Sequence, residues 1–221
     1  MKVILFGATG MVGQGVLREC LLDPQVETVL SVGRSATGQR HAKLREVVLG
    51  DLTDLVPVED RLQGFDACFF CLGVSSAGKT EEEYGRVTCG LTVSVGQTLA
   101  RLDPGMTFVY VSGAGTDSTE HGRSMWARVK GRTENSLLRM PFKAAYMFRP
   151  GVIRPLHGIR SKTRGYRVLY TVMMPFVVLA AAVAPNSLTT TEKMGRAMIH
   201  AAARGAPKQL LGTRDINELA K

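Results

Sequence analysis

Three glycines spaced three residues apart directly follow an apolar run near the start of the chain. The run is Lys2–Phe6, and the glycines are Gly7, Gly10 and Gly13. We expect Gly7 to permit a tight turn, Gly10 to let the backbone approach a pyrophosphate, and Gly13 to let the next helix lie close to a sheet. The N-terminus of that helix offers unpaired N–H groups to an anion. The spacing therefore predicts a dinucleotide-binding turn, whose further contacts are Thr9, Met11 and Val12.

The residues after the second predicted strand decide which dinucleotide fits. A carboxylate about twenty residues past the glycines would hydrogen-bond the ribose 2′-hydroxyl of NAD. The chain has Arg34 and Ser35 there, in the run VGRS, and no acidic residue. A guanidinium can bind a 2′-phosphate through two hydrogen bonds, and a serine hydroxyl can add another. This pattern favours NADP(H) as the cofactor, the alternative being that Arg34 is a solvated loop residue.

Two further strand ends carry candidate cofactor contacts. Asp51 and Leu52 follow the third predicted strand, where a carboxylate can accept a hydrogen bond from adenine or can instead cap a turn. Leu72 and Gly73 follow the fourth strand, where small residues either admit the pyrophosphate and ribose or form an ordinary flexible loop. At each of these two strand ends, a contact with the cofactor and a purely structural role both stay open.

Seven short motifs occur along the chain and together resemble a known family. In order, they are GATGMVG, VGR, GDLTD, CLG, VSGAG, WARVKGRTEN and FRPGVI. This set resembles the short-chain dehydrogenase/reductase superfamily, most closely its atypical NAD(P)H-binding branch, which includes the Tat-interacting-protein-like oxidoreductases. The resemblance covers residues 1–155 well and the last third loosely. It implies an oxidoreductase that transfers hydride between NADP(H) and a small carbonyl or alcohol substrate.

The resemblance also implies catalytic and nicotinamide-binding residues. Ser112 matches the catalytic serine, and Lys130 matches a lysine that holds the nicotinamide ribose. Pro150 and Val152 match backbone that meets the nicotinamide amide. The family tyrosine four residues before the lysine is replaced here by Trp126.

This replacement leaves two functional hypotheses open. An indole N–H only donates hydrogen bonds, so Trp126 cannot shuttle a proton near neutral pH. Candidate substitutes for the tyrosine are Tyr84, His121 and Ser124. The alternative to an enzyme is a non-catalytic NADP(H)-binding protein that regulates a partner or senses redox state.

Alternating strand and helix patterns predict the elements that position these residues. The predicted strands are 2–6, 28–32, 45–49, 67–72, 107–111 and 143–148, and the predicted helices follow the glycines and cover 81–100, 124–138 and 192–203. We therefore expect an α/β fold, a Rossmann-type doubly wound parallel sheet with a small helical C-terminal elaboration. Residues 1–221 should form one domain, with a dinucleotide-binding core over 1–150 and an elaboration over 151–221 that covers the substrate cleft.

The composition narrows the class of protein and its partners. The chain has a net charge of +9 and 45% hydrophobic residues, which is typical of a globular protein. We interpret the charge as attraction for an anionic cofactor, because no basic run interleaved with aromatic residues indicates nucleic acid binding. Cys68 and Cys71 should point to opposite faces of their strand, so we expect buried free thiols and no metal site. Such thiols predict a cytoplasmic location.

The last third of the chain combines a basic stretch with an apolar one. Basic residues between 154 and 167 precede the apolar segment 168–184, which has no charged residue. This segment contains Pro175 and is shorter than the about 20 residues of a spanning helix. We expect a lid over the substrate cleft or a subunit contact in a homo-oligomer, then a peripheral membrane contact, and only last a spanning helix.

Overall fold

Nine strands and six α-helices make up the part of the chain that the computed structural model describes, residues 1–159 and 188–221. The strands are β1 (Lys2–Phe6), β2 (Thr28–Gly33), β3 (Leu44–Val48), β4 (Ala67–Phe70), β5 (Thr107–Val111), β6 (Ala144–Arg149), β7 (Val152–Arg154), β8 (Leu188–Thr190) and β9 (Leu210–Gly212). The helices are α1 (Met11–Leu22), α2 (Glu81–Gly85), α3 (Leu91–Leu102), α4 (Met125–Leu138), α5 (Thr191–Arg204) and α6 (Thr213–Leu219). A 3₁₀ helix occupies Val56–Arg61, and a π-helical turn occupies Arg86–Gly90.

Seven of these strands form one parallel sheet in the order β3-β2-β1-β4-β5-β6-β9. The order reverses at β1, which pairs with β2 on one side and with β4 on the other. Such a reversal opens a crevice beyond the carboxyl ends of the strands, and this crevice is where α/β proteins bind ligands. The strands β7 and β8 pair in a small parallel ribbon. The predicted doubly wound Rossmann sheet is confirmed.

The sheet has a hydrophobic core on each face because its strands are almost entirely apolar. Leu5 and Phe69 pack with residues of α1, α5 and α6 on one face. Phe6 and Phe70 pack with residues of α3 and α4 on the other. The loops that follow β1, β2, β4 and β5 therefore start from strands that are held between two layers of helices.

The cysteines follow the predicted alternation of side chains along β4. Cys68 lies in one core, and Cys71 packs against the other, so the two thiols cannot form a redox pair. Burial raises the pKa of the thiols of Cys20, Cys68 and Cys71 well above the ordinary range. A thiol that stays protonated is a poor nucleophile and a poor metal ligand.

The helix predicted over 81–100 is divided by the π-helical turn into α2 and α3. A π turn adds one residue to the helical repeat and so advances the phase of the side chains that follow. Thr88 is therefore buried, whereas Val87, which belongs to the predicted apolar face, is 43% exposed. Tyr84, one turn earlier, is 2% exposed, and Val95 is fully buried further along.

One acidic group outside the crevice has the spacing of metal ligands. Glu19, His157 and Glu192 bring their ligand atoms within 4.8 Å of one another where α1 meets α5. Arg18 and Arg196 already pair with these carboxylates. Because the arginines compensate the negative charge, we assign this group a structural role.

The apolar segment 168–184 and the basic residues at 160–167 lie outside the described residues. Within the described ranges, no helix is both long enough and apolar enough to cross a membrane. The basic stretch is represented in the structure by Arg154, an exposed residue at the end of β7.

Candidate functional site

The glycine turn between β1 and α1 has the geometry of a phosphate-binding turn. Gly7 adopts a φ of +83°, and the Gly10 N–H donates to the Gly7 carbonyl at 2.9 Å. A β-carbon at position 13 would lie 2.6 Å from the Gly7 carbonyl carbon, which shows why the start of α1 can lie against the turn only with glycine there. Thr9 is half-exposed between these glycines.

The N-terminus of α1 is open to an anion. Met11 and Val12 form its first turn, which contains no acidic residue, and Gly10 offers no capping side chain. The first N–H groups of the helix are thus left for an external acceptor. A dinucleotide pyrophosphate supplies such an acceptor, so the residues present fit the predicted cofactor at this point.

Two adjoining cavities share a wall formed by Arg34, Leu52 and Leu72. The first cavity, of about 370 Å³, lies over the glycine turn and the end of β2, and Ser35 lines it. The second, of about 350 Å³, extends from Gly73 after β4 to the π-helical turn. The structure therefore brings the predicted phosphate turn and the predicted cofactor-selecting residues around one continuous crevice.

Asp51 lies on the wall of the second cavity and also caps its own turn. Its Oδ1 atom accepts hydrogen bonds from the Thr53 N–H at 2.8 Å and the Thr53 hydroxyl at 2.7 Å. These hydrogen bonds hold the pKa of the Asp51 carboxyl below its usual value, so the group is a carboxylate at neutral pH. Turn capping, one of the two predicted roles, is present in the structure.

The second cavity offers an apolar slot to a planar base. Val74 and Val87 line it and are 45% and 43% exposed. Thr88 also lines this cavity, and its buried hydroxyl oxygen has no hydrogen-bond partner among the described residues. Apolar walls with a few polar groups are typical of ligand pockets.

Lys130 and Ser112 meet where β5 ends. The Lys130 ammonium donates to the Ser112 carbonyl oxygen, and it lies 6.0 Å from the centroid of the Tyr110 ring. Burial lowers the pKa of Lys130 to about 8, partly opposed by the nearby carboxylate of Glu134. The Ser112 hydroxyl donates to the Phe148 carbonyl at 3.2 Å, so the structure joins the predicted pair through the serine backbone.

Trp126 packs over the loop that follows β5. A β-carbon at Gly115 would lie 3.3 Å from the indole ring, and Gly115 itself has a φ of +85°. Tyr84 is too buried to reach a substrate, while His121 and Ser124 are exposed and line neither cavity. None of the three candidate substitutes lines either cavity, and Ser112 and Lys130 do not line them either.

The loop after β6 is held by the protein's own hydrogen bonds. The Pro150 carbonyl accepts from the Ala114 N–H at 2.8 Å, and the Gly151 N–H donates to the Thr213 hydroxyl at 2.8 Å. A carbonyl oxygen has a second lone pair, so the predicted contact between the Pro150 backbone and a nicotinamide amide stays a prediction. Val152, which is 37% exposed, is the part of this loop that remains open.

A buried ion pair that was not predicted from the sequence fixes the helix that carries Lys130. Arg149 Nε donates to both carboxylate oxygens of Glu134 at 3.1 Å, and the Glu134 side chain is completely buried. The pair links the carboxyl end of β6 to α4. In the sequence, Glu134 stands four residues after Lys130, which indicates that both lie on one face of a helix. This spacing does not identify Arg149 as the partner of Glu134.

A second feature missed from the sequence is the glycine after Lys130. A β-carbon at Gly131 would lie 2.6 Å from the carbonyl carbon of Asp117 and closer still to its oxygen. Glycine thereby lets the loop after β5 rest on α4, beside Trp126. A glycine inside a helical pattern is the available signal, and it often marks such a close approach.

Comparisons with known proteins agree with this geometry. Residues 2–112 match the sequence family described as the semialdehyde dehydrogenase, NAD binding domain. The chain is 30% identical over 170 residues to "Protein fmp52, mitochondrial" of Aspergillus clavatus, covering 74% of this chain and 70% of the relative. It is 23% identical to "Protein FMP52-2, mitochondrial" of Scheffersomyces stipitis, covering 98% and 96% of the two chains.

A solved structure shows the same fold with a cofactor bound. A short-chain dehydrogenase/reductase superfamily protein from Agrobacterium tumefaciens, crystallised with NAD, superposes with a TM-score of 0.65. Sequence identity is 18%, and the match covers 96% of this chain and 76% of that one. The family match supports an NAD-binding domain and the solved structure confirms the predicted fold, whereas the preference for NADP(H) stays a prediction.

The predicted cytoplasmic location is wrong. The curated relatives are named as mitochondrial proteins. The prediction rested on unpaired cysteines, and free thiols are compatible with any reducing compartment rather than with the cytoplasm alone.

Proposed function

This chain belongs to the family of the semialdehyde dehydrogenase NAD-binding domain and to the FMP52 proteins, and on that premise we propose that it is an NADP(H)-dependent oxidoreductase of a small carbonyl or alcohol. The observation that carries the cofactor choice is the position of Arg34. It follows β2 on the wall shared by the two cavities, and the end of β2 has no carboxylate to select a ribose 2′-hydroxyl.

Each part of the crevice holds one part of the cofactor in this proposal. The turn of Gly7 and Gly10, with the N-terminus of α1, binds the pyrophosphate. Arg34 and Ser35 bind the 2′-phosphate, and the slot between Val74 and Val87 receives the adenine ring. The reduced nicotinamide, when bound, supplies a hydride to a carbonyl carbon.

Lys130 takes the proton-transfer role that Trp126 cannot perform. With a pKa of about 8, its ammonium group is protonated at neutral pH but releases a proton far more readily than an exposed lysine. It would donate that proton from Nζ to the substrate oxygen, and the Ser112 carbonyl holds Nζ in place. The Arg149–Glu134 pair keeps α4, and with it Lys130, at a fixed distance from β5 and β6.

Consumption of NADPH with a panel of small aldehydes and ketones tests this proposal. We expect turnover with NADPH for at least one carbonyl class, and none for Lys130→Met with the same substrate. The matched control is Arg139→Ala, which removes an exposed cation at the end of α4 and should leave turnover unchanged. Turnover that is equal in Lys130→Met and in the wild type contradicts the role given to Lys130.

The second candidate function is non-catalytic NADP(H) binding, and Trp126 is the observation that favours it. Under this alternative the wild type binds NADPH tightly, yet no carbonyl in the panel is reduced. Turnover that appears only in Trp126→Tyr would support the alternative, because restoring a tyrosine would then restore chemistry that the native chain lacks.

A further inference from the structure

A second arginine faces the same cavity as Arg34. Arg34 follows β2 and Arg86 begins the π-helical turn, and both residues line the 350 Å³ cavity. Within the described part of the chain, neither side chain makes a hydrogen bond or an ion pair. Arg86 acts through space on the Glu83 carboxylate and helps to lower its pKa, after hydrogen bonds from Thr80.

This lack of partners distinguishes the two residues from other arginines beside the crevice. Arg128 pairs with Glu81, and Arg149 pairs with Glu134, so both already have a carboxylate. Arginine fits a phosphate through two parallel hydrogen bonds, and an unpaired guanidinium in a cavity keeps that capacity for a ligand.

The charge of the cavity points to an anion. Its lining holds two guanidinium groups and one carboxylate, that of Asp51. One oxygen of that carboxylate already accepts two hydrogen bonds from Thr53. Two guanidinium groups in one cavity favour a ligand that carries more than one negative charge. A phosphate monoester is such a group.

The π-helical turn is the local structure that presents Arg86 to this cavity. π-helical insertions are rare and occur frequently at functional sites. Here the insertion leaves Arg86 and Val87 exposed at the mouth of the cavity and turns Thr88 inward. The Thr88 hydroxyl is buried and has no hydrogen-bond partner among the described residues.

We infer that Arg86 is a second determinant of cofactor specificity and binds the 2′-phosphate of the adenosine half together with Arg34. The inference rests on the proposed function, since it concerns the same cofactor. The sequence indicates residues that select the cofactor only at the end of β2. Arg86 adds one from the π-helical turn after β4. In this arrangement one guanidinium comes from the end of β2 and the other from the π-helical turn, and the base lies in the slot beside Val87.

Binding of two adenosine fragments tests Arg86 without any turnover. Calorimetric titration compares adenosine 2′,5′-bisphosphate with adenosine 5′-monophosphate on wild type, Arg34→Ala, Arg86→Ala and the double variant. We expect Arg86→Ala to weaken binding of the bisphosphate by about tenfold or more and to change binding of the monophosphate by less than about twofold. Arg86→Lys should recover part of the loss, because it restores the charge but not the paired hydrogen bonds.

The remaining outcomes separate this inference from the proposed function. The control Arg139→Ala removes one exposed positive charge away from the cavity and should bind both fragments as the wild type does. If Arg34→Ala loses bisphosphate affinity while Arg86→Ala keeps it, Arg86 has no part in recognition and the proposed cofactor stands. If the wild type binds both fragments equally, the proposed preference for NADP(H) fails and the inference fails with it. Melting curves of each variant confirm that the protein is folded.

Discussion

The roles assigned to Gly10 and Gly13 predict different effects for two alanine substitutions. Gly13→Ala should lower stability, and Gly10→Ala should weaken cofactor binding. At position 13, the new β-carbon would lie 2.6 Å from the Gly7 carbonyl carbon and 3.0 Å from Ala8 Cα. Both obstacles are backbone atoms of the turn. The Gly7 carbonyl also accepts from the Gly10 N–H, so it cannot move away without opening the turn. Gly13→Ala is therefore a defect of folding.

At position 10, the same substitution makes a tight contact rather than an overlap, and a shift of a few tenths of an ångström relieves it. The nearest atom to a new β-carbon is the Gly7 carbonyl oxygen at 3.3 Å, and the φ of Gly10 is −80°, which alanine adopts without strain. The added methyl group instead faces the place assigned to the pyrophosphate, at the open N-terminus of α1. Gly10→Ala is therefore a defect of binding.

The expected magnitudes are well separated. Overpacking against side chains that can give way costs about 1–3 kcal/mol, and a clash with fixed backbone lies at or above the upper end of that range. For a chain of this size, about 3 kcal/mol corresponds to a fall in melting temperature of about 6–12 °C. Gly10→Ala should lower stability by about 1 kcal/mol or less, as expected for replacing glycine at a helix N-cap. It should nevertheless weaken NADPH binding by more than about tenfold.

Thermal melting and calorimetric titration of the two variants provide the assay. Gly13→Ala should melt well below the wild type, and Gly10→Ala should melt near it yet bind NADPH poorly. The reasoning is refuted if Gly10→Ala binds NADPH as the wild type does, because the turn would then not lie against the pyrophosphate. A Gly13→Ala variant of wild-type stability would equally refute the packing argument.

Four further predictions concern Lys130, its supporting ion pair and Trp126. Burial lowers the pKa of Lys130 from 10.5 to about 8, so between these pH values the unfolded chain keeps a proton that the folded chain has lost. The free energy of unfolding of the wild type should therefore rise from about pH 8 to 10.5 relative to that of Lys130→Met, as measured by urea unfolding. Turnover should fall as pH rises through about 8, where the ammonium is lost, and an unchanged rate above pH 9 would contradict that role. Glu134→Gln leaves the Arg149 charge unpaired and should cost about 3 kcal/mol in urea unfolding, whereas Glu134→Leu combined with Arg149→Met should recover part of that loss. If Lys130 transfers the proton, Trp126→Tyr should change NADPH turnover by less than about tenfold. The substitution then alters the activation free energy by less than about 1.4 kcal/mol.

The features that could be predicted from the sequence are those encoded over short stretches. The strand Lys2–Phe6, the three glycines and the helix that follows are neighbours in the chain, so their local pattern predicts both the fold and the phosphate turn. The same holds for Arg34, because its distance from the glycines is fixed by one βαβ unit. Lys130 and Ser112 were found through the family resemblance, and the structure brings them together.

The features that could not be predicted depend on contacts between distant segments. The π-helical turn moves Val87 from the apolar face to the cavity mouth by one extra residue, which side-chain spacing does not reveal. The partner of Glu134 is Arg149, fifteen residues away on another element. The short strands β7, β8 and β9 have three residues each, too few to show a period, and pairing with β6 or with each other defines them.

The most direct test of the central claim is a calorimetric titration of wild type and Arg34→Ala with NADPH and with NADH. A guanidinium that binds the 2′-phosphate through charged hydrogen bonds contributes about 1.5–3 kcal/mol, which corresponds to about tenfold to 100-fold in affinity. We expect the wild type to bind NADPH at least about tenfold more tightly than NADH. We also expect that Arg34→Ala loses most of this preference while its affinity for NADH is unchanged. Equal binding of the two cofactors by the wild type, or binding of neither, would contradict the account.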